Sequence, residues 1–380
     1  MRDLIVIGAG LAGSSLAAAM ARRGWDVLLV ERRQPPRHKV CGEFLSPESL
    51  QSLHALGLYP AVARLDPCPM DSVRLVGRRG ASLHLPLPGE AWGLSRYALD
   101  TALLSAARLA GAEVKLGACA SHILPEPRSH RVAVDGAWLR SRAVVAAWGR
   151  QTLPALRTHR PPPPVRSWVG VKRHYTGASP SRSVELYFVE GGYVGLAPVE
   201  GGRLNCSALV SQPAFLAAGG GLEPFLAAAC QQNPALAARL AGARPVAESE
   251  ATISGVETGR PPLPWNGGGW PHLGDAAAMI PPLVGDGMAM ALRSAELTLP
   301  LLESYLLGEL SREAWGERYR RAYQAEFARR IGLARQVQSW LVRPGLCDGL
   351  LLLGRLLPGV ASRLVRLTRG PVGSAPPINS

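Results

Sequence analysis

Lysine is almost missing from this 380-residue chain: only Lys39, Lys115 and Lys172 occur, and the rest of its 42 basic residues are arginines. Against 28 acidic residues this leaves a net charge of +14. No Lys/Arg run carries interleaved aromatics, which excludes nucleic-acid binding as the reading of that charge. The cysteines are few and scattered (Cys41, Cys68, Cys119, Cys206, Cys230, Cys347), with no C-x-x-C pair and no Cys/His cluster at ligand spacing. That excludes a disulfide scaffold and a structural zinc site, sets the expectation of no metal, and fits a reducing cytoplasm. Long apolar runs are also lacking. The leucines at 350–353 are cut off by Gly354-Arg355 and Pro358, far short of the ~20 residues that span a bilayer. Charged residues make up only 18% beside 47% hydrophobic, which excludes a disordered chain. The Gly and Pro residues have no fixed period, which excludes a collagen-like one. The length suffices for two packed domains or one large α/β unit.

What is present starts at the amino terminus. Met1-Arg2 and the apolar stretch to Ala19-Met20-Ala21 have the outline of a secretory leader, but cleavage there would destroy a well-placed glycine loop. Leu4–Ile7 reads as a buried strand, Gly8-Ala9-Gly10-Leu11-Ala12-Gly13 as a turn, Ser14–Arg23 as an Ala-rich helix stopped by Gly24, and Val27–Val30 as a second buried strand closed by Glu31. This is a βαβ unit with G-x-G-x-x-G at its strand-to-helix turn. Gly8 permits the turn, Gly10 lets a pyrophosphate approach the helix N-terminus, and Gly13 allows close packing. Glu31 is placed to accept hydrogen bonds from ribose hydroxyls. The motif alone leaves NAD and FAD both open.

A second motif bears on that choice. Pro271-His272-Leu273 reads as a short strand leading into Gly274-Asp275-Ala276-Ala277, followed by Pro281-Pro282, Gly285-Asp286-Gly287 and a helix over about 288–307. An Asp at a strand end suits a sugar-alcohol hydroxyl. A Gly/Pro-shaped turn at a helix start aims backbone N–H groups at an anion, such as the N1/O2 edge of a reduced flavin.

Together, Gly8-x-Gly10-x-x-Gly13, Glu31 and Gly274-Asp275-Ala276…Pro281-Pro282…Gly285-Asp286-Gly287 resemble the FAD-dependent aromatic-hydroxylase (group A flavin monooxygenase) superfamily over roughly residues 1–305. The segment Lys39-Val40-Cys41-Gly42-Glu43-Phe44-Leu45-Ser46-Pro47 resembles its geranylgeranyl-reductase-like branch, of which the flavin halogenases are distant relatives. Arg96 in Arg96-Tyr97-Ala98-Leu99-Asp100 matches the family's R-x-x-L-D helix start. The resemblance implies an FAD site drawn from Gly8, Gly10, Gly13, Glu31, Arg32, Cys41, Arg96, Gly274, Asp275, Gly285, Gly287 and Met288. It also implies that the segment around Cys41 lies beside the isoalloxazine. The chain departs from the pattern in places. Ala147-Trp148-Gly149-Arg150 puts Trp148 where the hydroxylases carry an Asp before Gly, which bears on their use of NAD(P)H. The halogenase W-x-W-x-I-P signature is absent, and Tyr193-Val194-Gly195-Leu196-Ala197-Pro198 only loosely echoes the reductase branch's Y-x-W-x-F-P.

Arg160–Pro164 reads as an extended crossing into a second domain. Trp168–Tyr175, Val184–Val189, Tyr193–Leu196 and Leu204–Val210 read as strands, the last three joined at Gly191-Gly192 and Gly201-Gly202 into an antiparallel meander. Residues 222–242 read as helical and Thr252–Val256 as a strand returning to the first domain. Three residues carry candidate chemistry. Cys41 is either a proton donor or a small buried packer. Glu43 either orients its loop or acts as an acid. His174 shares a strand face with Lys172, opposite Arg173 and Tyr175; it is either a base or substrate partner, or a half-exposed sheet histidine. Trp92, Tyr187 and Tyr193 read as packing.

Residues 311–370 hold 12 Arg and 4 Asp/Glu. Leu346, Leu350, Leu353, Leu357, Val360 and Leu364 recur at helical spacing, with Arg355, Arg363, Arg366 and Arg369 opposite and a bend at Pro358. This suits either an anionic membrane surface or a helical pair packed on the first domain with a solvated basic face.

The expected fold is α/β: a Rossmann-type FAD-binding domain from 1–70, 90–160 and 255–310; an antiparallel β-sheet substrate domain from 71–89 and 161–254; a helical C-terminal region, 311–370; and a tail, 371–380. The expected activity is that of an FAD-dependent oxidoreductase on a hydrophobic small molecule, isoprenoid or polyketide-like, by C=C reduction or dehydrogenation through flavin N5. The alternative is an FAD-dependent monooxygenase hydroxylating an aromatic or polyketide substrate through a C4a-hydroperoxide. A third class is a flavin-bearing protein that serves in partner binding. With one glycine fingerprint, NAD(P)H is expected only as a transient reductant. No nucleic acid and no obligate protein partner are expected. The expected location is the cytoplasm, with peripheral membrane contact through 346–369.

Overall fold

The computed structural model describes residues 1–150, 167–257, 261–343 and 345–367. The crossing at Arg160–Pro164, Arg369 and the tail lie outside the described residues. Two sheets organise the rest. The first runs in the order Glu113–Leu116, Val27–Glu31, Arg2–Ile7, Ala137–Ala146, His130–Val134, Ala120–Pro125. Its first four strands are parallel, with Leu4 opposite both Val27 and Ala143, and the last two add antiparallel hairpins. Residues 4–7, 27–30 and 143–146 of the central strands are continuous apolar runs because both faces are covered, whereas the edge strand Glu113–Leu116 is half-buried and carries charge. On one face the helix Leu11–Ala21 is buried along its whole length and packs against the helices Arg96–Leu109 and Gly287–Leu307. Alanine on nearly every turn permits that close approach.

The second sheet has the order Arg244–Pro245, Trp168–Thr176, Arg203–Ser211, Gly192–Val199, Ser183–Val189, Cys68–Val76, Ser82–Gly93, Phe44–Leu45. The meander from 183 to 211 is antiparallel, with Gly191, Gly201 and Gly202 at positive φ in its turns. The sheet as a whole is mixed, however, not antiparallel. Ser183–Val189 pairs parallel with Cys68–Val76, because those strands belong to separate excursions of the chain and no hairpin turn dictates their direction. Strands Cys68–Val76 and Ser82–Gly93 take the sheet past both ends of the expected 71–89 segment.

Two further expectations are corrected and a third is refined. Ala251–Val256 does not return to the first sheet but pairs antiparallel with Trp168–Thr176. The helical reading of 222–242 holds, as two helices, Leu222–Gln232 and Pro234–Leu240. The break falls at Asn233, whose side chain accepts from Leu236 N and donates to the Phe188 carbonyl. Pro271–Leu273 is not a continuous strand. Trp265–Asn266 forms a hairpin with Trp270–Pro271, and His272 makes one parallel bridge to Ala146 before a 3₁₀ turn at Gly274–Ala276.

The C-terminal region comprises the helices Arg312–Leu341, Leu346–Leu356 and Pro358–Leu367. Trp315, Tyr319, Tyr323, Phe327 and Ile331 recur every fourth residue of the first and are buried. Pro358 opens the last helix, a position where its missing N–H costs nothing. The last two helices pack not on the first domain but on the second sheet, where Cys347, Leu351 and Ala361 bury against Leu83 and Leu85 of Ser82–Gly93. Among the described residues no helix is long and apolar enough to cross a membrane.

Candidate active site

The glycine loop joins the end of Arg2–Ile7 to the helix Leu11–Ala21. Gly8 has φ +107, and a Cβ there would lie 2.4 Å from the Ala147 carbonyl oxygen; a Cβ on Gly13 would lie 1.9 Å from that of Gly8. Both glycines are therefore demanded by packing. Gly10 differs: a Cβ there meets nothing, although the residue caps the helix. It borders open space at a helix N-terminus, where backbone N–H groups and the helix dipole favour a pyrophosphate. The Glu31 carboxylate accepts from Ala9 N and Arg33 N, both at 2.9 Å. It is thus fixed to the loop it serves, with exposed Arg32 beside it.

The Cys-Gly-Glu segment forms a loop between the two sheets. Glu43 has a left-handed backbone, φ 55, a conformation that costs a non-glycine residue about 1 kcal/mol or more. Three donors hold its buried carboxylate: Arg96 N at 2.9 Å, Lys172 Nζ at 2.6 Å and His174 Nε2 at 2.6 Å. Lys172 Nζ lies 2.8 Å from His174 Nε2. Burial alone would raise the Glu43 carboxyl, but the hydrogen bonds and charges of His174 and Lys172 outweigh it and hold the group below the usual carboxylate range. Lys172 and His174 share a face of Trp168–Thr176, as alternation requires, and both are fully buried. The half-exposed alternative for His174 is corrected: the face points into the domain junction and closes on Glu43. In this position Glu43 anchors the loop.

Cys41 is held on both sides. Its carbonyl accepts from Asn205 Nδ2 at 3.0 Å, and its sulfur accepts from Glu43 N at 3.4 Å. Burial pushes the thiol up, against the pull of the nearby Arg96 guanidinium. Arg96 is itself bound by Asp100, Nε to Oδ1 at 2.8 Å and Nη2 to Oδ2 at 3.0 Å, and Lys39 completes an ion-pair chain on the same carboxylate. Burial would raise Asp100, but Arg96 and Lys39 lower it.

Opposite this loop lies the turn around Asp275, whose carboxyl is raised by burial. Gly274 donates to Ser294 Oγ at 3.0 Å. Gly285 is left-handed, φ 66, and a Cβ at Gly287, the first residue of the helix Gly287–Leu307, meets nothing; Met288 is buried behind it. Asp286 turns away, paired with buried Arg330 at 2.6 Å. A cavity of about 170 Å³ separates the turn from the sheet, lined by Cys41, Phe44, Tyr193, Asp275, Leu283 and Gly285 among others. The open faces of Gly10 and Gly287, each at a helix start, fit two parts of an FAD: the pyrophosphate at Gly10 and the flavin edge at Gly285–Gly287. Among the described residues no group of His, Cys, Asp and Glu could hold a metal ion.

The structure thus brings Cys41, Asp275 and Gly285 to the wall of one cavity, with Arg96 beside Cys41, while Gly8–Gly13 and Glu31 form the other glycine turn. Glu43 and His174 lie behind the loop and bond to each other. Sequence reasoning missed Lys39, Asn205 and Arg330 as contributors, and it named Lys172 only as a neighbour of His174. The i,i+4 spacing of Arg96 and Asp100 was a usable local signal; nothing local marks the others.

Residues 1–133 match the model of the FAD binding domain family. Over 362 residues the chain is 28% identical to a menaquinone reductase of Mycobacterium tuberculosis, spanning 87% of this chain and 83% of that one. Over 350 residues it is 27% identical to digeranylgeranylglycerophospholipid reductase 2 of Methanopyrus kandleri, with 86% and 83% covered. Among solved structures the fold matches the flavin-dependent brominase Bmp2 with a TM-score of 0.79 at 17% identity, covering 98% of this chain and 94% of that one. The family match and the reductase relatives make this a flavin-dependent redox enzyme. The chain belongs to the superfamily of FAD-dependent oxidoreductases that includes the aromatic hydroxylases.

Proposed function

We propose that this oxidoreductase reduces a carbon–carbon double bond in a lipid carrying a polyprenyl chain. The carrying observation is the cavity at the Cys41 loop: its lining is mainly apolar, with Arg150, Ser207 and Asp275 among its few polar side chains, and it presents one half-buried thiol beside Arg96. Bound FAD supplies the hydride for one alkene carbon. The chain's own residues do the rest. Cys41, kept protonated by burial, gives its proton to the other carbon, and Arg96 steadies the thiolate left behind. Glu43, Lys172 and His174 hold the loop that carries the thiol, and the apolar walls exclude water. The similarity to reductases of menaquinone and of digeranylgeranylglycerophospholipid supports a polyprenyl substrate. Run backwards, the same arrangement dehydrogenates. NAD(P)H, or another reductant, would visit the flavin transiently, and the enzyme would work from the cytoplasm against a membrane surface.

The test is anaerobic turnover of a polyprenyl quinone or polyprenyl glycerol ether by chemically reduced enzyme. The expected product gains two hydrogen atoms and forms without air. Product carrying an oxygen atom from labelled O₂, with no turnover under nitrogen, would overturn this reading in favour of a monooxygenase.

A further inference from the structure

A second cavity, of about 240 Å³, lies between the second sheet and the last three helices. Among the described residues the side chains lining it are aliphatic or aromatic, including Leu83, Trp340, Leu350, Leu357 and Leu364. It shares Val73, Leu186, Leu283 and Val284 with the cavity at Cys41. The two spaces therefore abut across the same four side chains, and they differ in chemistry. The first has Cys41, Arg150, Ser207 and Asp275 in its walls; among the described residues the second has no polar side-chain atom but the Trp340 indole nitrogen. At the outer rim Leu352, Leu353, Leu356 and Val360 are each about half exposed or more, an uncovered apolar cluster of the kind that marks a binding surface.

We infer that the two cavities form one bent channel for a long hydrocarbon chain. The reacting double bond sits in the first chamber, and the rest of the chain runs past Val73 and Leu283 into the second, with its far end leaving between the helices Leu346–Leu356 and Pro358–Leu367. This deepens the proposed function and rests on it for the identity of the chain. The occupant is a polyprenyl tail rather than a headgroup, because an apolar chamber whose described side chains offer at most the Trp340 indole N–H would leave a headgroup's desolvation largely uncompensated. The site thereby selects substrates by length. Each isoprene unit that enters the second chamber adds buried apolar area, worth roughly tenfold or more in affinity.

The experiment is calorimetric titration of the flavin-loaded protein with geraniol, farnesol and geranylgeraniol, each one isoprene unit longer than the last. Affinity is expected to rise by about tenfold or more per unit in the native protein. Leu350→Trp and, separately, Leu364→Trp narrow the second chamber from its partly exposed side. Each is expected to keep the native melting temperature and geraniol affinity while losing the gain from the longer chains. Native affinity that does not grow with length, or the same growth in both narrowed variants, would overturn the channel. Length-dependent binding without reduction of any double bond would leave the channel standing and sink the reaction proposed for it.

Discussion

A side chain at Gly10 and one at Gly13 add the same bulk to one loop, yet the structure separates their consequences. At Gly10 the new Cβ faces open space; at Gly13 it collides with the Gly8 carbonyl. Gly10→Val is expected to melt close to the wild-type apoprotein and yet to purify without flavin, because the valine occupies the pyrophosphate's place. Gly13→Val is expected to lose stability as well. Absorbance of the purified proteins and thermal melting check both; a yellow Gly10→Val protein would remove the pyrophosphate from this position. Cys41 is a different kind of test. A serine there keeps the size but is far less acidic, so Cys41→Ser is expected to retain FAD while turnover falls by about 10²-fold or more. Unchanged kinetics and an unchanged pH profile would leave Cys41 as packing. These residues were legible in the sequence because the glycine loop and the Cys-Gly-Glu loop are short stretches whose spacing carries the chemistry. The resting state of the thiol was not, since its burial and the nearness of Arg96 depend on the fold.

Between elements, the bond that matters most joins the Glu43 loop to the strand Trp168–Thr176. Alternation along that strand made the common face of Lys172 and His174 legible. Their partner was not, because Glu43 lies about 130 residues away and no periodicity encodes a contact across two sheets. The same reason hid the parallel pairing of Ser183–Val189 with Cys68–Val76, while the meander, with glycines in its turns, was readable. Removing one member of a buried ion pair strands the other, at a cost of about 3–5 kcal/mol, whereas replacing both by apolar groups is often close to neutral. Glu43→Gln is therefore expected to destabilise the protein strongly, and adding Lys172→Met should recover much of the loss in denaturant unfolding. Equal stability of the single and double variants would refute the coupling. Acid should act in two steps. His38, against His174 and Tyr97, is lowered from 6.5 to about 4 by burial and by the charges of Lys172 and His174. Between those values the unfolded chain binds a proton that the folded chain refuses, so stability falls as pH falls. Glu43, also lowered, contributes fully above the usual carboxylate range, and its contribution is lost as pH drops through its lowered value. Melting temperature across this range should fall less steeply in His38→Gln, and the last acid loss should be missing in Glu43→Gln.

For the whole molecule, the charge surplus and the exposed leucines meet in one place. The chain carries +14, and Arg343, just before the last two helices, and Arg355 and Arg363 on them face solvent, on helices that also expose Leu352, Leu356 and Val360. The sequence made the amphipathic spacing legible but left its partner open between a membrane and the first domain. The fold adds that the inner leucines cover the second sheet, so the outer ones are surplus to packing. We propose that this surface rests on an anionic bilayer, the phase that holds a polyprenyl lipid. Basic residues near such a surface contribute about 1 kcal/mol each, screened over ~8 Å at physiological salt, while the leucines add a part that salt does not weaken. Sedimentation with phosphatidylglycerol vesicles should therefore fall steeply as salt rises, and binding to phosphatidylcholine vesicles should be weaker. Replacing the three arginines with Gln should abolish the preference for anionic lipid and leave flavin content unchanged. Replacing Leu352, Leu356 and Val360 with Gln should lower binding to both kinds of vesicle at every salt concentration. Absence of vesicle binding at low salt would refute the membrane contact and leave the polyprenyl lipid to reach the channel mouth from a carrier in solution.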